Sequence, residues 1–285
     1  MPVDPILLLL DAASQALTLL LVASGLAVTM GLVGIVNLAH GELLLVGAYT
    51  AIAAERAGLG FWTGLVLAPC LGALLGLALD RFVVRRIRER PLDALLATWA
   101  VGLVIRQVVV ALFGPGSFTL PVPLEGELAL AGTGYPAYRL LVMALALLTT
   151  GLLAALLFTT PLGLMIRGAV ADRTLAAATG LPVRRLDAFA LALGAGLAGL
   201  AGAATAPLVG IDPQMGLGFL LPAFLAVLVA PTGGLAGTAA GAGLVGGGES
   251  LVAAFASPVT AQLAVLALAV VLLRLASGRR PGRER

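Results

Sequence analysis

Apolar runs of about twenty residues recur along this chain, and each is nearly free of charged side chains. A run of that length can cross the hydrocarbon core of a bilayer as a helix. Only 11% of the 285 residues are charged and 60% are hydrophobic, whereas a soluble domain has about 25% charged residues. The sequence therefore predicts an all-α, polytopic membrane protein that forms a single transmembrane domain over residues 1–285.

The apolar runs predict about eight membrane segments, two of which are interrupted. Uninterrupted segments are expected at Pro5–Ala27, Leu59–Leu79, Leu92–Phe113, Ala137–Phe158, Leu186–Leu208 and Leu251–Leu273. The interruptions are expected at Asn37–Gly41 and at Pro231–Gly234, and residues 210–218 are expected to form a short loop. Because each half of the run around Pro231 is too short to cross alone, it either re-enters from one side or forms a hairpin of short, tilted helices.

One apolar run contains a cluster of polar residues in its middle. Residues 31–49 read GLVGIVNLAHGELLLVGAY, with Asn37, the only histidine His40, and Glu42 close together. Polar groups at membrane depth are costly unless they line a cavity or meet partners inside the protein. The cluster is therefore either the lining of a substrate path or an internal network that braces neighbouring helices.

Interrupted membrane helices are the best sequence indication of a substrate site near the middle of the membrane. Both predicted interruptions therefore supply candidates for a substrate path. The candidates are Asn37, His40, Gly41, Glu42, Thr232, Gly233 and Gly234.

Arginines fix the expected orientation of the chain. Fourteen of the seventeen basic residues fall in three segments, 80–91, 159–185 and the tail 274–285, which the positive-inside rule places in the cytoplasm. Three apolar segments precede the first of these, so the N-terminus is expected outside and the C-terminus in the cytoplasm. No arginine precedes the first apolar run, so a cleaved signal peptide is not expected.

The segment 159–185 combines charges with helix signals. Pro161 is a typical helix start, and the Gly180-Leu181-Pro182 sequence is a typical stop. Arg167, Asp172 and Arg173 are expected to face outward, and Met165, Ala169, Leu175 and Ala176 inward. Such a helix at the cytoplasmic face is either a docking element for a soluble partner or a solvated loop held on anionic lipid headgroups.

Several functions are disfavoured by composition. The isoelectric point of 9.7 reflects arginines in cytoplasmic loops, so membrane lipid rather than nucleic acid is the expected contact. One cysteine and one histidine do not suffice for a disulfide, a cysteine-rich metal site or a histidine-based metal site. The chain has no GxxxxGK[ST] motif and no recognisable catalytic set, so neither an enzyme nor a cofactor is predicted.

Two of these stretches resemble a known family, the permeases of bacterial ABC importers for branched-chain amino acids. Residues 34–49 are similar to its signature, in which Gly-x-x-Asn-x-Ala-His-Gly-Glu precedes Gly-Ala-Tyr. The segment that reads LGLMIRGAVADRTLAAATGLPVRR resembles the coupling region of that family. Ala223–Gly243 is similar to its glycine-rich pattern, although residues 231–234 read Pro-Thr-Gly-Gly where the family usually has Gly-Gly-x-Gly. The resemblance covers most of Leu17–Leu275.

The resemblance implies a function and a set of partners. The chain would be a permease subunit in the bacterial inner membrane, paired with a homologous second permease. Two cytoplasmic ATP-binding subunits would dock on the segment from Arg167 to Gly180, which includes Asp172 and Arg173, and an extracytoplasmic solute-binding protein would deliver the solute. The solute would be a branched-chain amino acid or a related small polar molecule.

Two alternatives remain open from the sequence. The YPAYRLLVMALAL run and the end of the chain equally resemble urea and short-amide permeases built on the same scaffold. The alternative of another class is a secondary transporter or channel that works without ATPases. Its candidate ion or proton groups would be Glu42, Arg106 and Glu249.

Overall fold

The computed structural model describes residues 4–34, 36–87, 90–130, 133–229 and 234–277. The helices are α1 (Pro5–Val28), α2 (His40–Arg56), α3 (Phe61–Leu79), α4 (Arg85–Ile87), α5 (Pro91–Phe113), α6 (Ala137–Thr159), α7 (Pro161–Ala171), α8 (Arg173–Ala178), α9 (Val183–Thr205), α10 (Met215–Leu228), α11 (Gly234–Ala242), α12 (Gly248–Ala253) and α13 (Pro258–Ser277). The helical class expected from the sequence is confirmed.

Five helices within the described residues are long and apolar enough to cross a membrane. They are Pro5–Val33, Phe61–Ile87, Leu92–Phe113, Ala137–Thr159 and Val183–Thr205. The first two are prolonged beyond α1 and α3 by π-helical turns at Thr29–Val33 and Asp80–Val84. A third π-helical turn, Gly243–Gly247, joins α11 to α12. Shorter apolar helices complete the set, so the polytopic architecture is also confirmed.

Helix α9 lies at the centre of the fold because glycines let its neighbours approach its backbone. A Cβ atom at Gly72 of α3 would clash with the carbonyl oxygen of Ala195, and one at Gly76 would clash with that of Leu191. These pairs show that α3 and α9 run antiparallel. Small residues permit close backbone contact between membrane helices, where packing rather than the hydrophobic effect drives association.

Helix α2 packs on another part of α9 in the same way but runs parallel to it, since Leu43 clusters with Ala195 and Ala198, and Ala51 clusters with Ala203. The position of a Cβ at Gly47 is occupied by the Gly199 backbone, and that of a Cβ at Gly202 by the Leu44 carbonyl. Helix α9 therefore positions both α2 and α3, and a larger residue at any of these glycines would force the helices apart.

The segment between α5 and α6 contains a hairpin that the sequence did not predict. Strands β1 (Glu127–Leu130) and β2 (Thr133–Pro136) pair antiparallel. Phe118 of the same segment forms an isolated antiparallel bridge with Ile211, which follows α9. This bridge ties together the two segments that leave α5 and α9.

The C-terminal third begins with a helical hairpin. A Cβ at Gly241 of α11 would clash with the carbonyl of Ala226 in α10, so the two helices pack against each other. This agrees with the hairpin alternative. The last span begins at Pro258 rather than Leu251, because the Ser257 hydroxyl accepts a hydrogen bond from the Thr260 amide (3.2 Å) and caps α13.

The two sides of the helical layer differ in charge. Arg85 and Arg90 line the same cavity as Arg173 and Arg184, so the segments 80–91 and 159–185 lie on one side. We call this the basic side. The start of α1 lies on the opposite side, where the Asp11 carboxylate pairs with Arg139 near the start of α6 (2.6 Å).

Candidate functional site

Helix α2 begins inside the bundle and not at its surface. The His40 Nε2 atom lies 3.1 Å from the carbonyl oxygen of Val22, near the middle of the Pro5–Val33 span. A Cβ at Gly25 would touch both the His40 ring and Gly194, near the middle of α9. Since residue 34 and residues 36–39 are not in a helix, the interruption expected at Asn37–Gly41 is present, immediately before His40.

Local interactions explain why the chain breaks here. The helix that began as α1 ends at Gly34, whose φ of 72° is the left-handed conformation that favours glycine. The Asn37 carboxamide oxygen accepts a hydrogen bond from the Ala39 amide (3.0 Å), which stabilises the turn into α2. The Thr98 hydroxyl of α5 accepts another from the Leu38 amide (3.2 Å). The turn is therefore fixed from within and from a neighbouring helix.

Helix α10 also begins inside the bundle, and its start contacts the start of α2. A Cβ at Gly41 would meet the Gly216 carbonyl, and a Cβ at Gly216 would meet the Gly41 carbonyl. The two first turns thus touch through their backbones. The sequence missed this second interior start, because residues 210–218 read as an ordinary short loop.

An ion pair links the start of α2 to α5. The Glu42 carboxylate forms a salt bridge with Arg106, and the side chains are only 4% and 21% exposed. A Cβ at Gly102 of α5 would lie 3.2 Å from the Glu42 Cγ atom, so glycine leaves room for the carboxylate to reach Arg106. The sequence identified both charges but not their pairing, which depends on how α2 and α5 pack.

The polar cluster retains unused hydrogen-bonding capacity. Among the described residues, nothing pairs with Asn37 Nδ2, His40 Nδ1, Glu42 Oε2 or Arg106 Nε, although all four atoms are buried. Burying polar atoms without partners is unfavourable, and native proteins contain few of them. The hydrogen bonds of Asn37 and His40 and the Glu42–Arg106 ion pair form a bracing network, which is one of the two alternatives from the sequence. The four unpaired atoms could in addition bind a polar molecule at the same place.

The segment 159–185 folds as two short, capped helices on the basic side. The Thr160 hydroxyl accepts a hydrogen bond from the Gly163 amide (3.0 Å) at the start of α7. The Asp172 carboxylate accepts one from the Leu175 amide (2.9 Å) at the start of α8. Gly180, with a φ of 85°, follows the end of α8. The helix start at Pro161 and the stop at Gly180 are as the sequence predicted.

An internal ion pair fixes this segment to the membrane helices. Arg173 forms a salt bridge with Asp187 of α9, whose side chain is only 4% exposed. Arg167 is exposed, and its guanidinium lies 5.3 Å from the centre of the Phe158 ring. The expectation that Arg173 faces outward is therefore wrong, because its guanidinium turns back to the buried Asp187 carboxylate, whereas Arg167 lies at the surface as expected.

The apolar residues of the segment divide between two faces. Ile166, Ala169 and Ala176 are buried against α9 and its neighbours. Leu164 and Leu175 are 64% and 61% exposed. The expectation that Leu175 faces inward is wrong, because the capped start of α8 turns Ala176, one residue later, toward the core. The basic side thus carries an exposed apolar surface made by α7 and α8.

Gly234, the last residue of the second predicted interruption, lies away from the polar cluster. Thr232 and Gly233 are outside the described residues. Gly234 lines an apolar cavity of about 270 Å³ together with Leu157 and Arg167. The structure therefore brings Gly234 close to the coupling segment and not to His40.

Together the fold and the site define a multi-pass helical membrane protein in which two helices begin within the bundle, a design typical of membrane transporters. A family model described as "Branched-chain amino acid transport system / permease component" matches residues 8–275. The chain belongs to this family. Its members are transport components and not enzymes, in agreement with the sequence.

Curated relatives include two different permease proteins. The chain is 26% identical to "High-affinity branched-chain amino acid transport system permease protein LivH" of Escherichia coli K12. The aligned region is 272 residues long and covers 90% of this chain and 88% of LivH. The chain is also 39% identical to the permease protein LivM of Salmonella typhimurium LT2 over an aligned region of 79 residues. That region covers 27% of this chain and 18% of LivM.

A solved structure shares the fold. This structure is "PsaBC from Streptococcus pneumoniae in complex with Fab". The superposition covers 95% of this chain and 91% of the matched chain, with a TM-score of 0.50 and 17% sequence identity. At this identity the likeness concerns the fold alone.

The buried ion pair yields a test of the site. Replacing Arg106 with Met should lower the free energy of unfolding by about 3–5 kcal/mol, because it leaves the Glu42 carboxylate buried without its cation. Adding Glu42→Gln should recover most of that loss. Unfolding midpoints of the purified protein in detergent measure the effect, and Gln107→Met, at an exposed neighbouring position, is the matched control. Equal midpoints for Arg106→Met and Gln107→Met would show that the pair contributes no stability.

Proposed function

We propose that this protein is a membrane-spanning permease subunit of a binding-protein-dependent ABC importer, and that the importer takes up branched-chain amino acids. The family match over residues 8–275 carries the proposal. The full-length similarity to LivH, a permease protein of a high-affinity branched-chain amino acid transport system, supports it. The interior helix starts supply a polar region within the membrane where a solute can cross.

The charge of the two sides supports an orientation in the bacterial inner membrane. The basic side, which carries the segments 80–91 and 159–185, would face the cytoplasm by the positive-inside rule. Because α1 begins on the opposite side, the N-terminus would lie outside. The arginine-rich end of the chain, residues 274–285, would then be cytoplasmic.

The similarity to both LivH and LivM supports pairing with a homologous second permease subunit. Both are permease proteins of the same kind of system, and each is similar to this chain. A solute-binding protein would deliver the amino acid on the outer side. Two ATP-binding subunits would bind on the cytoplasmic side.

The α7–α8 segment is the proposed contact for an ATP-binding subunit. Exposed Leu164 and Leu175 supply an apolar surface on the basic side, and exposed Arg167 and Asp172 flank it. The Arg173–Asp187 pair would transmit force from this surface to α9, which contacts both α2 and α3. Movement of the ATP-binding subunits would thus reach the interior helix starts through a short, rigid connection.

The proposed solute path passes the starts of α2 and α10. Asn37, His40, Gly41 and Glu42 lie at this place, and their unpaired polar atoms could hydrogen-bond to a passing solute. Gly234, which shares an apolar cavity with Arg167, would lie at the cytoplasmic end of the path. Thr232 and Gly233, which precede it in the sequence, remain candidates from the sequence alone.

Uptake measurements test the proposed function. Vesicles that hold the chain together with its permease and ATP-binding partners should import radiolabelled leucine when ATP and the solute-binding protein are both present. Omitting either should reduce uptake to background, because this chain carries no nucleotide-binding motif of the GxxxxGK[ST] type. Import of urea in place of leucine would reassign the solute, and leucine uptake without ATP would favour a secondary transporter.

The exposed surface of α7 and α8 yields a second test. Truncating Leu164 and Leu175 together to Ala should weaken co-purification of the ATP-binding subunit about tenfold or more, since apolar anchors at an interface cost over about 1 kcal/mol each when removed. Folding should be unaffected because both side chains are exposed. Leu124→Ala with Leu128→Ala, two exposed leucines between α5 and α6, is the matched control. Equal retention by both double variants would contradict the docking role.

A further inference from the structure

A cavity of about 280 Å³ lies on the side opposite the basic segments. We call it the outer cavity. It is bounded by α1, α6, α9, α10 and α12, and its polar lining includes Asp11, Ser14, Thr18 and Arg139. Nothing in the proposed function so far uses it.

The outer cavity reaches from the surface toward the interior helix starts. Asp11 is in the second turn of α1, whereas Thr18 is one turn before Val22, whose carbonyl contacts His40. Phe219, in the first turns of α10, lines the inner part and lies three residues beyond Gly216. A molecule in this cavity would therefore be next to the place where α2 and α10 meet.

Two opposite charges at the outer end have capacity for a further partner. Arg139 and the Tyr135 hydroxyl both donate to the same oxygen, Asp11 Oδ1, at 2.6 and 3.1 Å. Asp11 Oδ2 accepts no hydrogen bond from another described residue, and a guanidinium has five N–H donors, of which this pair uses one. Both side chains are nearly half exposed, so a solute can reach each of them.

The remainder of the lining suits a molecule that is polar at one end and apolar at the other. The side chains of Ser14 and Thr18 are buried, yet neither hydroxyl hydrogen-bonds to another described residue. Leu208 and Phe219 add apolar surface to the same cavity. Urea has no ionic group that could form an ion pair with Arg139 or Asp11, and no apolar part that could cover Leu208 and Phe219.

We infer that the outer cavity is a binding site, within the permease itself, for a free α-amino acid with an apolar side chain. Its carboxylate pairs with Arg139, its ammonium group pairs with Asp11, and its side chain contacts Leu208 and Phe219. The inference rests on the proposed function, because it assigns the imported solute a place on the way to the interior helix starts.

Protection of an introduced cysteine tests the inference. The variant is Ser14→Cys in a Cys70→Ser background, which removes the only native cysteine. It is assembled with its permease and ATP-binding partners in vesicles without the solute-binding protein. A membrane-impermeant thiol reagent applied to the outer side should label Cys at position 14. L-Leucine should slow the labelling, whereas urea, 4-methylpentanoate (no ammonium) and 3-methylbutylamine (no carboxylate) should not.

Charge-neutral substitutions then test the two proposed contacts. Arg139→Gln or Asp11→Asn should raise the leucine concentration for half-maximal protection about 10- to 100-fold, the equivalent of one charge-assisted hydrogen bond. Protection in each variant is measured relative to that variant's own labelling rate without leucine, because a nearby charge also affects thiol reactivity. Arg56→Gln is the matched control, because Arg56 is an exposed arginine at the end of α2 that does not line the cavity; its guanidinium lies 4.4 Å from the centre of the Phe118 ring.

Each outcome decides between binding and its absence. No labelling, labelling that leucine does not slow, or protection by urea or by either single-charge analogue would overturn the inference. Unchanged protection in Arg139→Gln and Asp11→Asn would overturn the assigned contacts. If the importer takes up leucine but leucine gives no protection, the inference fails alone; if leucine is not taken up at all, the proposed function fails.

Discussion

The backbone contact between Gly41 and Gly216 is the constraint on which the rest of the structure depends. Two helices can start inside a membrane bundle only if their exposed amide groups are sheltered from lipid. Here the two first turns touch each other, and no side chain larger than hydrogen fits between them. The central position of α9, with glycines facing α2 and α3, follows from the same requirement for close approach.

Side-chain polar groups then hold this contact in place. Asn37 shapes the turn, His40 reaches the Val22 carbonyl of α1, and Glu42 pairs with Arg106 of α5. His40 and Glu42 thus join the start of α2 to two other helices, whereas Asn37 acts within the turn itself. On the basic side, Arg173 and Asp187 play the same part for the α7–α8 segment. Structural bracing and a solute path are compatible here, because the bracing leaves polar atoms unpaired beside the helix starts.

Local signals in the sequence were sufficient for much of this. The spans follow from apolar length, the break before His40 from Gly34 and Asn37, and the end of α8 from Gly180. Features that depend on long-range packing were not predictable. Asp212 and Gln214 precede α10 just as Asn37 precedes α2, but beside Pro213 they read as an ordinary loop, and only the packing places this helix start inside the bundle. The Glu42–Arg106 pair joins residues 64 apart in the chain. Leu175 was misplaced because the direction of α8 is set by its cap and by the Arg173–Asp187 pair.

The claim that α2 starts in the middle of the membrane is tested most directly by a disulfide. A Cβ at residue 102, in the middle of α5, would lie 3.9 Å from the Cβ of Ala39, within the range that a disulfide needs. With Cys70→Ser, the pair Ala39→Cys and Gly102→Cys should close on oxidation and leave no thiol open to alkylation after denaturation. The pair Ala39→Cys and Gly114→Cys, at the far end of α5, should keep both thiols. The reverse result, with residue 39 joined to 114 and not to 102, would contradict the account.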